Sequence, residues 1–167
     1  MHQLLRILAR AAVIVVIASL FPAKLHASDW WLDASYTKPL RWNVGASLFF
    51  DHYDFQNRKA GRRIIVGGNV GPNGTQAWGG KLLDRPGGGN NGWALDLRAV
   101  ITRTWDNPRG ASPNSTYVGG EVGWLGQVGF WGASRLSVGY AKRVSGPSPD
   151  DGHILTWGVG FEIPAFW

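Results

Sequence analysis

Apolar residues recur at every second position over most of this chain. In 41–52, Trp42, Val44, Ala46, Leu48 and Phe50 fall on one side of an extended backbone. Arg41, Asn43, Gly45, Ser47, Phe49 and Asp51 fall on the other. In 92–105, Trp93, Leu95, Leu97, Ala99 and Ile101 oppose Asp96, Arg98 and Thr102. In 116–126, Val118, Val122 and Trp124 oppose Glu121; in 133–144, Leu136, Val138 and Tyr140 oppose Ser137, Gly139 and Ala141. A period of two marks a β-strand with unlike faces, because successive side chains leave a pleated strand on opposite sides. The stretch 29–37 sets Trp30, Leu32, Ala34 and Tyr36 against Asp33 and Ser35. Two further stretches, 62–70 and 75–83, alternate poorly; there Lys81 falls opposite Trp78, Gly80 and Leu82. With 153–163 these make eight predicted strands. Turn-forming residues separate them: Lys38-Pro39, Pro72-Asn73-Gly74, the glycine-rich 84–91, Asn107-Pro108-Arg109-Gly110 and the proline-containing 145–152. Regular hairpin spacing with no long helical pattern predicts an antiparallel up-and-down meander.

The last stretch alternates most cleanly. Leu155, Trp157, Val159, Phe161, Ile163, Ala165 and Trp167 make an apolar face; Thr156, Gly158, Gly160 and Glu162 lie between them. Pro164 removes one ladder donor, but near enough to the end to weaken only the last pairing. A two-faced strand ending the chain on a bare aromatic resembles the C-terminal strand of small bacterial outer-membrane β-barrels. The resemblance implies an all-β, antiparallel transmembrane barrel of about eight strands, closed by this strand. It also implies that Leu155, Trp157, Val159, Phe161, Ile163 and Trp167 form a signal read by the barrel-assembly machinery.

The other end of the chain fits export. Arg6 and Arg10 precede an apolar run, 11–21, that is short of the roughly 20 residues of a spanning helix. Pro22 breaks it, and Leu25-His26-Ala27 resembles a small-residue cleavage site. The expected organisation is a cleaved signal peptide over 1–27 and one barrel domain over 28–167. An uncleaved anchor is the rival reading.

Charge and composition narrow the class. The chain has 17 Lys+Arg and 11 Asp+Glu. The leader takes away Arg6, Arg10 and Lys24 and no acid, leaving 14 against 11, a net of +3. So small an excess, with no basic stripe, argues against a nucleic-acid partner. Zero cysteines exclude disulfides and thiolate chemistry. A small exported domain then needs another source of stability, and a closed barrel in lipid pairs all of its backbone groups internally. The 24 glycines and 10 tryptophans point the same way, to tight curvature and to aromatic belts at membrane interfaces. A soluble carbohydrate-binding β-sandwich is the bland alternative; its aromatics would gather in one exposed patch.

With the apolar faces outward, the inward set holds Asp33, Arg41, Asp51, Lys81, Asp96, Arg98, Glu121 and Glu162. Both signs are present, and eight strands enclose a space that side chains just fill. Buried charges must pair, so the expectation is a lumen plugged by ion pairs. Beyond the leader the histidines are His52 and His153, at opposite ends of the expected barrel and separated by a hydrocarbon layer on the order of 25–30 Å. They cannot share a site, and no metal or other cofactor is expected. His153 with Ser148, Asp150 and Asp151 is the one grouping with nucleophile, base and acid; it is the fallback for a lipid-modifying enzyme, lipid A acyl chemistry included. Ser-Pro-Asp-Asp-Gly is also ordinary turn composition. The stretch 87–92 is glycine-rich but lacks the Lys-Ser/Thr of a phosphate loop. The leading expectation is a non-enzymatic barrel in the bacterial outer membrane, with a structural or surface-interaction role. Its partners would be outer-membrane lipid, lipopolysaccharide and the assembly machinery.

Overall fold

The structure, a computed structural model, describes residues 27–50, 63–83, 93–128, 132–147 and 152–165. They form eight strands: β1 (Ala27–Lys38), β2 (Arg41–Phe50), β3 (Arg63–Gly71), β4 (Gly74–Leu83), β5 (Trp93–Thr104), β6 (Thr116–Val128), β7 (Gly132–Ser145) and β8 (His153–Ala165). Each pairs antiparallel with its neighbour in sequence, and β8 pairs with β1, so the sheet closes into a barrel. No helix occurs among the described residues. A single closed sheet replaces the sandwich alternative, which needs two.

The ladders are staggered. Stepping from partner to partner from Leu32 passes Ala46, Gly68, Ala77, Ile101, Val118, Lys142 and His153. The β8–β1 register, extended by four residues, returns to the β1 line ten residues beyond Leu32. Such a stagger in eight strands goes with a tilt of about 40° and an interior just wide enough for side chains.

The alternation sorts the chain inside out. Trp42 is 70% exposed and Val44 60%, and Leu97, Ile101, Val118, Val122, Leu136, Val138 and Leu155 are also exposed, while Asp96, Arg98, Glu121 and Glu162 are buried. The lumen is layered. Trp31 and Phe49, with ring centroids 5.7 Å apart, fill one end beside Ile65. Polar groups fill the middle. Tyr117, Ala141 and Ile154 pack at the other end.

β4 departs from the sequence expectation. Trp78 is buried and Lys81 is exposed, so its faces are the reverse of those expected. Lys81 stands in the outward row between Ile64 and Leu97. Trp78 turns inward because Arg98 has its guanidinium over the indole, 5.1 Å from the ring centroid. β3 alternates poorly because it is apolar on both faces. Ile65 fills the lumen while Ile64 faces out.

Candidate functional site

Two constructions occupy the barrel: a charge network across its middle and a cap over one mouth. The network begins at Asp96 and Arg98, which share the inward face of β5. Arg98 Nη2 donates to Asp96 Oδ2 at 2.8 Å and to Glu162 Oε1 on β8 at 3.4 Å. Arg135 on β7 grips the other side of Asp96, Nε to Oδ2 and Nη2 to Oδ1, both at 3.0 Å. This two-bond fork fixes both groups in one plane. Arg135 Nη2 also lies 3.6 Å from Glu121 Oε2, and Gln76 Nε2 donates to Glu121 Oε1 at 3.1 Å. One connected set therefore ties β4, β5, β6, β7 and β8 through the lumen. Asp33 on β1 is the register partner of Glu162 and lines the same space.

Glycines make the network possible. A Cβ at Gly123 would lie 2.7 Å from Arg135 Nη2, and one at Gly139 would meet Glu121 Cγ at 2.5 Å. A Cβ at Gly45 would collide with Asp33 Oδ1. These inward positions are empty of side chain because charged groups from neighbouring strands occupy the volume. What remains beside Asp33, Asn69, Trp78, Arg98 and Glu162 is a cavity of about 20 Å³, room for about one water.

The cap is the β5–β6 connection. Trp105 donates from its backbone to Asn73 O at 3.0 Å and from its indole to Pro72 O at 2.7 Å. Arg109 N donates to Pro39 O at 3.0 Å, and its guanidinium to the Tyr36 hydroxyl at 3.3 Å. The segment is thus fastened to both two-residue hairpin turns. Thr104 Oγ1 donates to Ser112 O at 2.7 Å, Ser112 N to the Tyr117 hydroxyl at 2.8 Å and Arg143 Nη1 to Ser112 Oγ at 3.0 Å. Ala111 packs against the Tyr117, Ala141 and Ile154 cluster, and Leu40 is fully buried nearby. Left-handed backbone at Asp106, Gly110 and Asn114 folds the segment tightly, as these residue types allow.

Of the eight residues expected in the lumen, Asp96, Arg98, Glu121 and Glu162 are joined and Asp33 adjoins them. Lys81 is on the outer wall, for the reason given for β4. Arg41 has inward parity but is exposed at the rim. Its φ of 63° at the hairpin turn carries it out of strand geometry, and Asn43 Nδ2 holds its carbonyl at 2.8 Å. Asp51 lies outside the described residues, as do His52, Ser148, Asp150, Asp151 and Trp167. Of the fallback enzyme group, His153 is therefore the member with a described position. It faces outward, stacked on Tyr140 and hydrogen-bonded through Nδ1 to its hydroxyl. Leu155, Trp157, Val159, Phe161 and Ile163 all face outward and exposed.

Arg135 is central to the network and absent from the sequence-based set. Its signal was available: it shares the parity of Ser137 and Gly139, already read as inward. Gln76 and Trp78 were hidden by the reversed faces of β4.

The outer wall carries an aromatic cluster. Tyr36 packs edge-on to Trp42, with centroids 5.3 Å apart, and 5.9 Å from Trp157, just below the capped rim. No group of three or more His, Cys, Asp or Glu placed to hold a metal ion occurs among the described residues. Comparison with protein-family models, with curated proteins and with solved structures finds no match to this chain.

Proposed function

We propose that this protein is a non-enzymatic integral barrel of a bacterial outer membrane, exported by way of a cleaved leader and serving a structural, envelope-stabilising role. One observation carries the reading: the closed barrel is apolar outside and charge-paired inside. In water so large an exposed apolar surface is unfavourable and marks a contact with a partner or a membrane. Lipid around the whole wall satisfies it, while the closed ladder leaves no backbone edge in hydrocarbon. The aromatic cluster of Tyr36, Trp42 and Trp157 suits an interface level. A lumen filled by the Arg98–Asp96–Arg135 network and capped at one mouth supports a scaffold and not a solute pathway. Partners under this reading are membrane lipid and the machinery that inserts barrels.

Fractionation of expressing cells tests it. The protein should be recovered with outer-membrane vesicles and resist extraction by high salt and alkaline carbonate. Recovery in the soluble periplasm would overturn the membrane assignment. For the absence of catalysis, mass spectrometry of lipid A with and without expression should give identical acyl patterns. An altered pattern abolished by His153→Ala would establish an enzyme instead.

A further inference from the structure

The ion pairs of the lumen leave some buried polar atoms over, and five of these belong to side chains that share one space. Among the described residues, Asp33 Oδ1, Asn69 Oδ1, Glu162 Oε2, Trp78 Nε1 and Arg98 Nε have no hydrogen-bond partner. All five side chains line the cavity of about 20 Å³. Asn69, Trp78, Arg98 and Glu162 are each more than nine-tenths buried. A buried polar group without a partner is costly, and folded interiors hold few of them.

Two inward glycines bring these atoms together. Asp33 on β1 leans over Gly45 of β2: a Cβ there would collide with Asp33 Oδ1 and lie 2.7 Å from Asn69 Cβ on β3. Trp78 on β4 leans over Gly67 of β3, two residues from Asn69; a Cβ at Gly67 would lie 2.7 Å from Trp78 Nε1. The carboxylate and the indole N–H thus reach toward Asn69 from opposite sides. Glu162 on β8 stands beside Asp33 in register. Its Oε1 accepts from Arg98 at 3.4 Å, which leaves Oε2 over.

We propose that this cavity is a binding site for one structural water molecule, which joins β1 to the charge network by bridging Asp33 and Glu162 and accepting the indole N–H of Trp78. The volume suits a single water, and a polar site with two to four partners is what holds one. The unpartnered set comprises three acceptors and two donors. A water brings two hydrogens and two lone pairs. Its hydrogens go to Asp33 Oδ1 and Glu162 Oε2, because charged acceptors bind a donor more strongly than the Asn69 amide does. Its lone pairs accept from Trp78 Nε1 and Arg98 Nε. A metal cation would serve the acceptors alone, leave both donors unmet, and sit against the Arg98 guanidinium. An anion would face two carboxylates. The direct bonds of the network tie β4 to β8; the water adds β1, the strand whose pairing with β8 closes the barrel.

The test is proton NMR of the folded protein in deuterated neutral detergent, with the Trp78 indole proton assigned by its disappearance in Trp78→Phe. That proton should show a through-space cross-peak at the water frequency, with the rotating-frame sign that separates contact from chemical exchange. Asp33→Asn keeps an oxygen acceptor and should retain the cross-peak. Asp33→Leu removes it and should lose the cross-peak, whereas a signal relayed through a neighbouring hydroxyl would survive. Absence of the cross-peak in the unaltered protein, or its persistence in folded Asp33→Leu, would overturn the proposal. A high-resolution crystal structure of the unaltered protein gives a second reading that needs no variant. It should show a water within about 3 Å of Asp33 Oδ1, Glu162 Oε2 and Trp78 Nε1. No density in the cavity, an occupant with metal-like oxygen contacts of about 2.4 Å, or these side chains turned to bond one another directly would each overturn it.

Discussion

Arg98 is one of the two guanidiniums that hold the interior together. It links Asp96 to Glu162, lies over Trp78, and is almost wholly buried. Removing one partner of a buried pair leaves an uncompensated charge and costs about 3–5 kcal/mol. Arg98→Leu should therefore lower the urea midpoint of the folded form markedly, as followed by the fraction of unboiled protein that keeps its folded gel mobility. Asp33→Asn should do the opposite or nothing. Four carboxylates (Asp33, Asp96, Glu121 and Glu162) share the lumen with the guanidiniums of Arg98 and Arg135, and Asp33 is the register partner of Glu162. Neutralising Asp33 relieves like-charge repulsion at no loss of an ion pair; a large drop in its urea midpoint would refute this accounting of the lumen. Gly123→Val is the steric counterpart. Its Cβ falls 2.7 Å from both Asp96 Cγ and Arg135 Nη2, and overpacking of this kind costs about 1–3 kcal/mol. A fall in midpoint smaller than that of Arg98→Leu, without loss of the β-sheet circular dichroism at zero urea, is the expected outcome.

At the scale of elements, β8 is the closing strand. It offers Leu155, Trp157, Val159, Phe161 and Ile163 outward and pairs with both β7 and β1. Deletion of Trp167 should reduce the fraction of protein that reaches the membrane in a folded form, measured in envelope fractions by the same unheated gel. Full assembly of that deletion would make the terminal aromatic incidental. The strands were legible in sequence because the same apolar-or-polar choice repeats along each one; β2, β5, β6, β7 and β8 present the faces that alternation alone assigns. β4 was not, because tryptophan is at home in either environment. Indole reads as an outward, interfacial residue until an arginine from the next strand is known to lie on it. Arg41 failed for a different reason: parity applies inside a strand, and a left-handed turn residue no longer obeys it. The cap was invisible for a third. Residues 105–115 have ordinary loop composition, and their hydrogen bonds to Pro39, Pro72 and Asn73 join parts of the chain that no local pattern connects.

The whole molecule is a small barrel turned inside out relative to a water-soluble one. Its polar groups are spent across the lumen and its apolar groups line the wall, so its stability depends on what surrounds that wall. Backbone closure and the lumen network resist unfolding together, which is why such a barrel should remain compact in detergent until heated. The most direct measurement is the migration of envelope-extracted protein in detergent gels, unheated against boiled, with β-sheet circular dichroism followed in urea. The account predicts a distinct folded band in the unheated sample, converting to the full-length position on boiling, and β-structure that persists in several molar urea when lipid or detergent is present. A single unchanged band, together with the same β-structure in plain buffer lost at low urea, would contradict it.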